Sequence, residues 1–277
     1  MLSLGVDVSE KRGLDVVLLD GSPRPRRVAR CGGAEELAAL ARKWKPDVVA
    51  VDGPPAPARS GHLRAAEAAL ARKAIHAHPT ASDNNPGWMR VSFEVFRALG
   101  AAGFPLYRRG SAAGTAIEVF PHASAVTLAE CLPPDRVSKK EWRRSVLAAN
   151  GIQAVALRSL DEIDATLAAL TGLIALRGQF TAVGDPEEGV ILLPIPVLPQ
   201  TPYRRCPAPQ GTASQLRLPG QTPCACGDPS CNEKTGGEFA TGHDAKRKSL
   251  LWKRARSGEE AIEELRRRGW KLPPGMR

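Results

Sequence analysis

LSLGVDVSEKRGLDVVLLDGSPRPRRVARCGGAEELAALARKWKPDVVAVDGPP, residues 2–55, carries the architecture of this chain. Leu2 to Val8 is mostly apolar and interrupted by Asp7; Gly13 to Leu19 is a second apolar run; Asp20-Gly21-Ser22-Pro23 is a turn signal. Arg24 to Arg30 reads as a third strand, polar enough for a sheet edge. Ala34 to Trp44 reads as a helix, with Leu37, Leu40, Ala41 and Trp44 at helical spacing, and Lys45-Pro46 ends it. Asp47 to Val51 is a short buried strand closed by Asp52-Gly53-Pro54-Pro55. Three hairpin-like strands, a helix and a fourth strand therefore open the chain.

Working outward, Arg59 to Ile75 looks helical and alanine-rich and carries Arg59, Arg64, Arg72 and Lys73, while 76–90 reads as an irregular loop. Helices are expected over Val91–Ala102, His122–Glu130 and Lys139–Ala149, and strands over Thr115–Phe120 and Gly189–Leu193. Ser159 to Leu176 is the best-defined helix, and its Ser159-x-x-Glu162 spacing fits a capping box. From Pro194 to Pro223 prolines recur every few residues and no period survives, which reads as a linker partly packed on the first domain. A cysteine-rich knuckle follows, then a helix near Gly258–Arg268. The organisation is one large domain over 1–195, a proline-rich linker over 196–222 and a small basic module over 223–277.

The bulk properties agree. The chain has 277 residues, 43% of them hydrophobic, enough to bury a core. No apolar run approaches the roughly 18 residues of a membrane span, and Asp7 interrupts any leader-like stretch, so the expectation is a cytoplasmic protein. The net charge is +10; residues 201–277 hold 15 Lys+Arg against 8 Asp+Glu, so +7 of it belongs to the tail. Cys31 and Cys131 are isolated and read as small buried hydrophobes, whereas Cys206, Cys224, Cys226 and Cys231 crowd together, which in a reducing compartment points to metal more than to disulfide.

Several short stretches, in this order, resemble the ribonuclease H-like superfamily, and within it the predicted-nuclease family filed as domain of unknown function 429. They are Gly5-Val-Asp7, Ala50-Val-Asp52-Gly-Pro54, Glu118-Val-Phe-Pro-His122-Ala123, Ser138-Lys-Lys140, Asp161-Glu-Ile-Asp164-Ala and Glu188-Gly-Val-Ile-Leu-Leu-Pro194. Together they cover about residues 1–195. The resemblance implies an α/β fold, a mixed sheet flanked by helices. It also implies a site of carboxylates at strand ends and on the last helix: Asp7, Asp52, Glu118, Asp161 and Asp164. Of these, Asp7, Glu118, Asp161 and Asp164 would hold Mg²⁺ or Mn²⁺, and His122 would orient a water or contact phosphate.

The chemistry explains why acids are wanted. Hard divalent cations prefer oxygen ligands, and a pair of them clamps the attacking and leaving oxygens of a phosphodiester. An ionised Asp7 inside an apolar strand needs a partner or a metal. Asp161 and Asp164 stand at i and i+3 and share a helical face, with the small Ala165, Ala168 and Ala169 behind them. The competing readings are local: Asp161 complements a helix N-terminus, Glu162 belongs to the capping box, and Asp52 shapes a strand-to-turn junction. His122 has its own alternative in capping the helix that starts there. Lys139, Lys140, Arg143 and Arg144 form a basic run suited to phosphate contacts, or a solvated helix face. Ser111 and Cys131 have no His/Asp arrangement for nucleophilic catalysis, and no Walker or dinucleotide loop is present.

In the tail, Cys224-x-Cys226-x₄-Cys231 followed by His243 offers a Cys₃His set for structural Zn²⁺, with Cys206 a substitute ligand; free thiols or a redox pair are the alternatives. The stretch through Gly242-His243-Asp244-Ala-Lys246 also resembles a small cysteine-and-GHDA(K/R) module appended to other bacterial proteins. Lys246, Lys248, Lys253 and Arg254, interleaved with Trp252, suit nucleic-acid binding. Their alternative is a solvated helix in which Glu259, Glu260, Glu263 and Glu264 pair the arginines. The reading of the whole is a divalent-metal-dependent nuclease or phosphodiesterase acting on nucleic acid. The alternative keeps the fold without catalysis, as a nucleic-acid-binding or adaptor protein. A nucleotide-binding, ATPase-like protein is a third, without a phosphate loop to support it.

Overall fold

The computed structural model describes residues 1–207, and beyond them only Thr222–Pro223, Lys234–Thr235, Glu263 and residues 265–267. The chain forms two compact units, Met1–Ala208 and Pro209–Arg277. In the second, Thr222–Pro223 and Lys234–Thr235 pair antiparallel. Among the described residues no helix is long and apolar enough to cross a membrane.

The first unit is a seven-stranded mixed sheet with helices on both faces, the α/β class expected from the sequence. The strands are β1 (Ser3–Ser9), β2 (Gly13–Leu19), β3 (Arg27–Cys31), β4 (Val48–Asp52), β5 (Thr115–Val119), β6 (Thr181–Asp185) and β7 (Gly189–Leu193). The helices are α1 (Ala34–Trp44), α2 (Ala65–Ala71), α3 (Gly87–Ala101), α4 (Pro121–Ala129), α5 (Lys139–Ala149) and α6 (Leu160–Leu176). Across the sheet the order is β3-β2-β1-β4-β5-β7-β6. β1 runs antiparallel to β2 and parallel to β4, which runs parallel to β5.

Strand alternation sorts the side chains. Leu4, Val6, Leu14, Val16, Val49 and Val51 pack with Leu37, Val95 and Leu99 of α1 and α3. Ser3, Gly5 and Asp7 take the opposite face, where α6 lies. The α6 helix approaches β1 closely because small residues meet there. A Cβ on Gly5 would sit 1.9 Å from the Ala165 carbonyl oxygen and 2.4 Å from the Ala169 nitrogen. Gly172 likewise abuts Ser3, its virtual Cβ 2.2 Å from Oγ. Gly5→Ala is therefore expected to push α6 off the sheet and cost about 3 kcal/mol in a denaturant melt, the upper end for overpacking. Gly100→Ala, in α3 with nothing within 4 Å of its added methyl, is expected to stabilise by about 0.5–1 kcal/mol.

Four elements differ from the sequence expectation. The third strand is Arg27–Cys31 rather than 24–30, because the turn extends through Pro25. The helix expected over 59–75 is only Ala65–Ala71; the run up to Arg64 is irregular, and Ala74 takes a left-handed φ of 63° after the helix ends. α3 begins at Gly87, inside the segment read as a loop. β6 was not anticipated: only Val183 of Thr181–Asp185 is buried, so no alternation marks it.

The start of the expected linker packs on the first unit. Tyr203 is buried and its N–H donates to the Lys73 carbonyl, Leu132 bridges to Arg205, and Cys206 is joined to Cys131 by a disulfide. This corrects the reading of Cys131 as an isolated buried thiol and of Cys206 as a substitute zinc ligand. The partners are 75 residues apart in sequence and only the return of this segment to the end of α4 brings them together. Cys31 alone among the described cysteines is free and buried, as expected. The cysteines of this unit thus give no support to a reducing compartment.

Candidate metal centre

Asp7, Asp52 and Asp164 converge. Asp7 and Asp52 are register partners on β1 and β4, hence neighbours on the α6 face of the sheet. The close β1–α6 approach then sets Asp164 over them. One carboxylate oxygen from each lies within 4.8 Å of the others. Asp7 also groups in this way with Asp15 and Asp161. Asp15 is its register partner on β2 and carries no signal in the sequence beyond an acid in an apolar strand.

The two groups differ in how their charge is met. Asp15 accepts from Nε and Nη2 of Arg30, at 3.2 and 2.9 Å, and Asp161 is paired with Arg12 at 2.7 Å. Among the described residues the inner group has one ion-paired cation, Arg143, whose guanidinium pairs with Asp164 Oδ2. The other Asp164 oxygen, Oδ1, is buried without a hydrogen-bond partner among the described residues. Burial first and the neighbouring acids second, Asp52 foremost, push the Asp7 carboxyl far above the usual carboxylate range. Asp52 is pushed up for the same reasons, burial leading and Asp164 next. Burial raises Asp164 to about 6 despite Arg143. Three crowded carboxyls with one arginine are a site short of positive charge. An oxygen-only set with an orphaned buried oxygen fits a hard divalent cation held by Asp7, Asp52 and Asp164.

These shifts fix a pH dependence. Carboxyls raised by folding stabilise the native state fully below their unfolded value of about 4, and that stabilisation is lost as pH rises through the folded values. In EDTA, wild-type protein is expected to lose melting temperature relative to Asp52→Asn as pH goes from 5 to 9. Mn²⁺ is expected to reverse the trend, because the bound cation needs deprotonated ligands. Parallel wild-type and Asp52→Asn curves in EDTA would contradict the raised carboxyls.

Glu118 is not in the cluster. It is in register with Val51, not Asp52, and so projects from the other face of the sheet. There it is 3% exposed and accepts from both terminal nitrogens of Arg64, which is 1% exposed. Arg64 Nε donates to Glu67 at 3.0 Å, and the Thr80 N–H donates to Glu67 at 2.9 Å. Arg64, read from the sequence as one of several basic residues on a helix, is the centre of a buried ionic network.

The basic run at the start of α5 divides in two. Lys139 is exposed, and its charge reaches Asp164. Lys140 Nζ donates to the Arg158 carbonyl. Arg143 is buried against Asp164, so it is not the solvent-facing phosphate contact expected; the helix turns it inward beside Trp142. Arg144 donates to the Leu157 carbonyl. His122 stands outside the cluster, between Phe120 and Trp142 at 5.7 and 5.8 Å. Burial, then Arg143 and Lys139, lower it to about 4, so it is neutral at pH 7. Glu162 completes the capping box, its own N–H donating to Ser159 Oγ at 2.9 Å. Cys224, Cys226, Cys231 and His243, and with them Lys246, Lys248, Lys253 and Arg254, lie outside the described residues.

A family model described as "Protein of unknown function (DUF429)" matches residues 5–188. No curated protein matches the chain. Solved structures with partial likeness include two of RuvC. The Thermus thermophilus RuvC structure is 19% identical, covering 61% of this chain and 92% of that one at a TM-score of 0.33. T. thermophilus RuvC in complex with Holliday junction substrate is 21% identical, covering 64% and 96% at a TM-score of 0.34.

Proposed function

This chain belongs to the DUF429 family, which is defined without an activity, and from its carboxylate centre we propose that it is a divalent-metal-dependent phosphodiesterase acting on nucleic acid. The observation that carries the reading is the inner group itself: Asp7, Asp52 and Asp164 within 4.8 Å, short of positive charge, with a buried Asp164 oxygen that nothing among the described residues satisfies. A cluster so costly when empty of cations is what a metal-assisted hydrolase maintains.

When bound, Mg²⁺ or Mn²⁺ supplies Lewis acidity toward a phosphoryl oxygen and lowers the pKa of water. The chain's own residues do the rest. Asp7 and Asp52 would present ligand oxygens from adjacent strand ends, as deprotonated carboxylates. Asp164 is held by Arg143, which occupies Oδ2 and leaves Oδ1 without a partner among the described residues. The start of α5 places Lys139 near that centre for a phosphate of the substrate strand. Arg12, 61% exposed, stands at the outer acids and suits a second phosphate.

The test is Mn²⁺ titration by calorimetry beside cleavage of end-labelled single- and double-stranded DNA and RNA. Binding with Mn²⁺-dependent cleavage of any of them is the expected result. Neither binding nor cleavage would return the adaptor reading.

A further inference from the structure

A second feature adjoins the carboxylate centre and shares Asp52 with it. It is a pocket of about 240 Å³ whose lining includes Asp52, His78, Trp88, Phe120 and the Arg64–Glu118 pair. Pockets that take drug-sized ligands run to about 300–1,000 Å³, so this one suits a single ring system. Its walls are pre-set. Trp88 sits in the first turn of α3 and meets His78 edge to face, ring centres 6.0 Å apart at 89°. Ser92 Oγ donates to the Pro54 carbonyl at 2.8 Å, holding the turn after Asp52. The Arg64 guanidinium is locked by two carboxylates. Aromatic rings around a mostly apolar space are a stacking site, and the sharing of Asp52 puts its occupant beside any phosphate drawn to the metal ligands.

Resting on the phosphodiesterase reading, we infer that this pocket takes one unstacked nucleobase of the substrate strand, adjacent to the phosphate at the carboxylate centre. A planar heterocycle joined through a sugar to a phosphate matches the juxtaposition of aromatic pocket and carboxylates. A base pair exceeds the space, so the substrate is single-stranded there or yields the base by extrusion. The sequence hides the site because Trp88 lies in a segment that reads as an irregular loop and Arg64 reads as one of several basic residues on a helix.

The experiment measures affinity of the full chain for a ten-nucleotide thymidine DNA, a uridine RNA of the same length, and a strand with the same backbone and no bases. Wild-type protein is expected to bind a base-bearing strand about tenfold or more tighter than the abasic one, the contribution of one stacked base. Trp88→Leu is expected to remove most of that preference and leave abasic affinity unchanged. Phe120→Leu serves in its place should Trp88→Leu fail to fold. Equal wild-type affinity for base-bearing and abasic strands, or a variant that keeps the full preference, overturns the pocket. Mn²⁺-dependent cleavage on the same strands separates the two readings. Cleavage without base preference removes the pocket alone, whereas Trp88-dependent preference without cleavage removes the phosphodiesterase and leaves a base-binding site. Absence of binding to DNA and RNA alike overturns both.

Discussion

Asp7→Asn is expected to abolish metal-dependent cleavage while raising the stability of the metal-free protein. Asp7 is the one acid common to both carboxylate groups, register partner of Asp52 on one side and of Asp15 on the other. Its removal takes a ligand from the centre whichever group holds the cation. Lewis-acid stabilisation of a phosphoryl transition state is worth several kcal/mol, so turnover should fall by about a thousandfold or more. Stability should move the other way, since burial and the charges of Asp52, Asp164 and Asp161 all work against an ionised Asp7. A neutral amide keeps the shape and removes the repulsion. The paired readout is cleavage rate in Mn²⁺ and melting temperature in EDTA at pH 8. A variant that cleaves like wild type would make these acids structural, and one that loses both activity and stability would make Asp7 a folding residue.

Arg64→Ala is expected to be the most destabilising single change in the first unit. The arginine is almost fully buried and contacts both Glu67 and Glu118, each 3% exposed. Burial raises the Glu118 carboxyl and Arg64 opposes that rise, so truncating the arginine strands two buried acids. Breaking a buried ion pair by removing one partner costs about 3–5 kcal/mol. For a domain of this size that is a fall of about 6–20 °C in melting temperature. Glu118→Gln distinguishes the role of the network from that of the centre. It should lower stability through the lost charge on Arg64 and leave Mn²⁺ affinity as in wild type. Loss of Mn²⁺ binding in Glu118→Gln would instead make Glu118 a ligand, as the family resemblance implies.

That pair of outcomes marks where sequence reading stops. Asp7 was legible because an acid in an apolar run needs a reason, and Asp161 and Asp164 because a helical period places them on one face. The helix itself was legible to within a residue, its capping box formed by Ser159 and Glu162. Glu118 read equally well, alternating with Ile117 and Val119, yet the sheet sends it the other way. A one-residue change of register between β4 and β5 would reverse its face, and Glu118, flanked by apolar residues on both sides, does not by itself show its register with a partner 67 residues away. Arg143 shows the same limit, since its inward turn depends on how α5 meets α6. The disulfide was misread because separation along the chain says nothing of distance in the fold.

By itself the sequence determined which residues form strands and helices over most of 1–193, since apolar period, caps and turns are local properties of the chain. It also determined a supply of acids too apolar in surroundings to be casual. The tertiary structure alone decided which acids meet. Gly5 and Ala169 allow α6 to close on β1 and bring Asp164 to Asp7, while the β1–β4 register sets Asp52 beside them. The same packing retires Glu118 into an ion pair and opens a pocket at Asp52. Such convergence follows from the relative placement of whole elements, which is fixed by contacts between residues far apart in the chain.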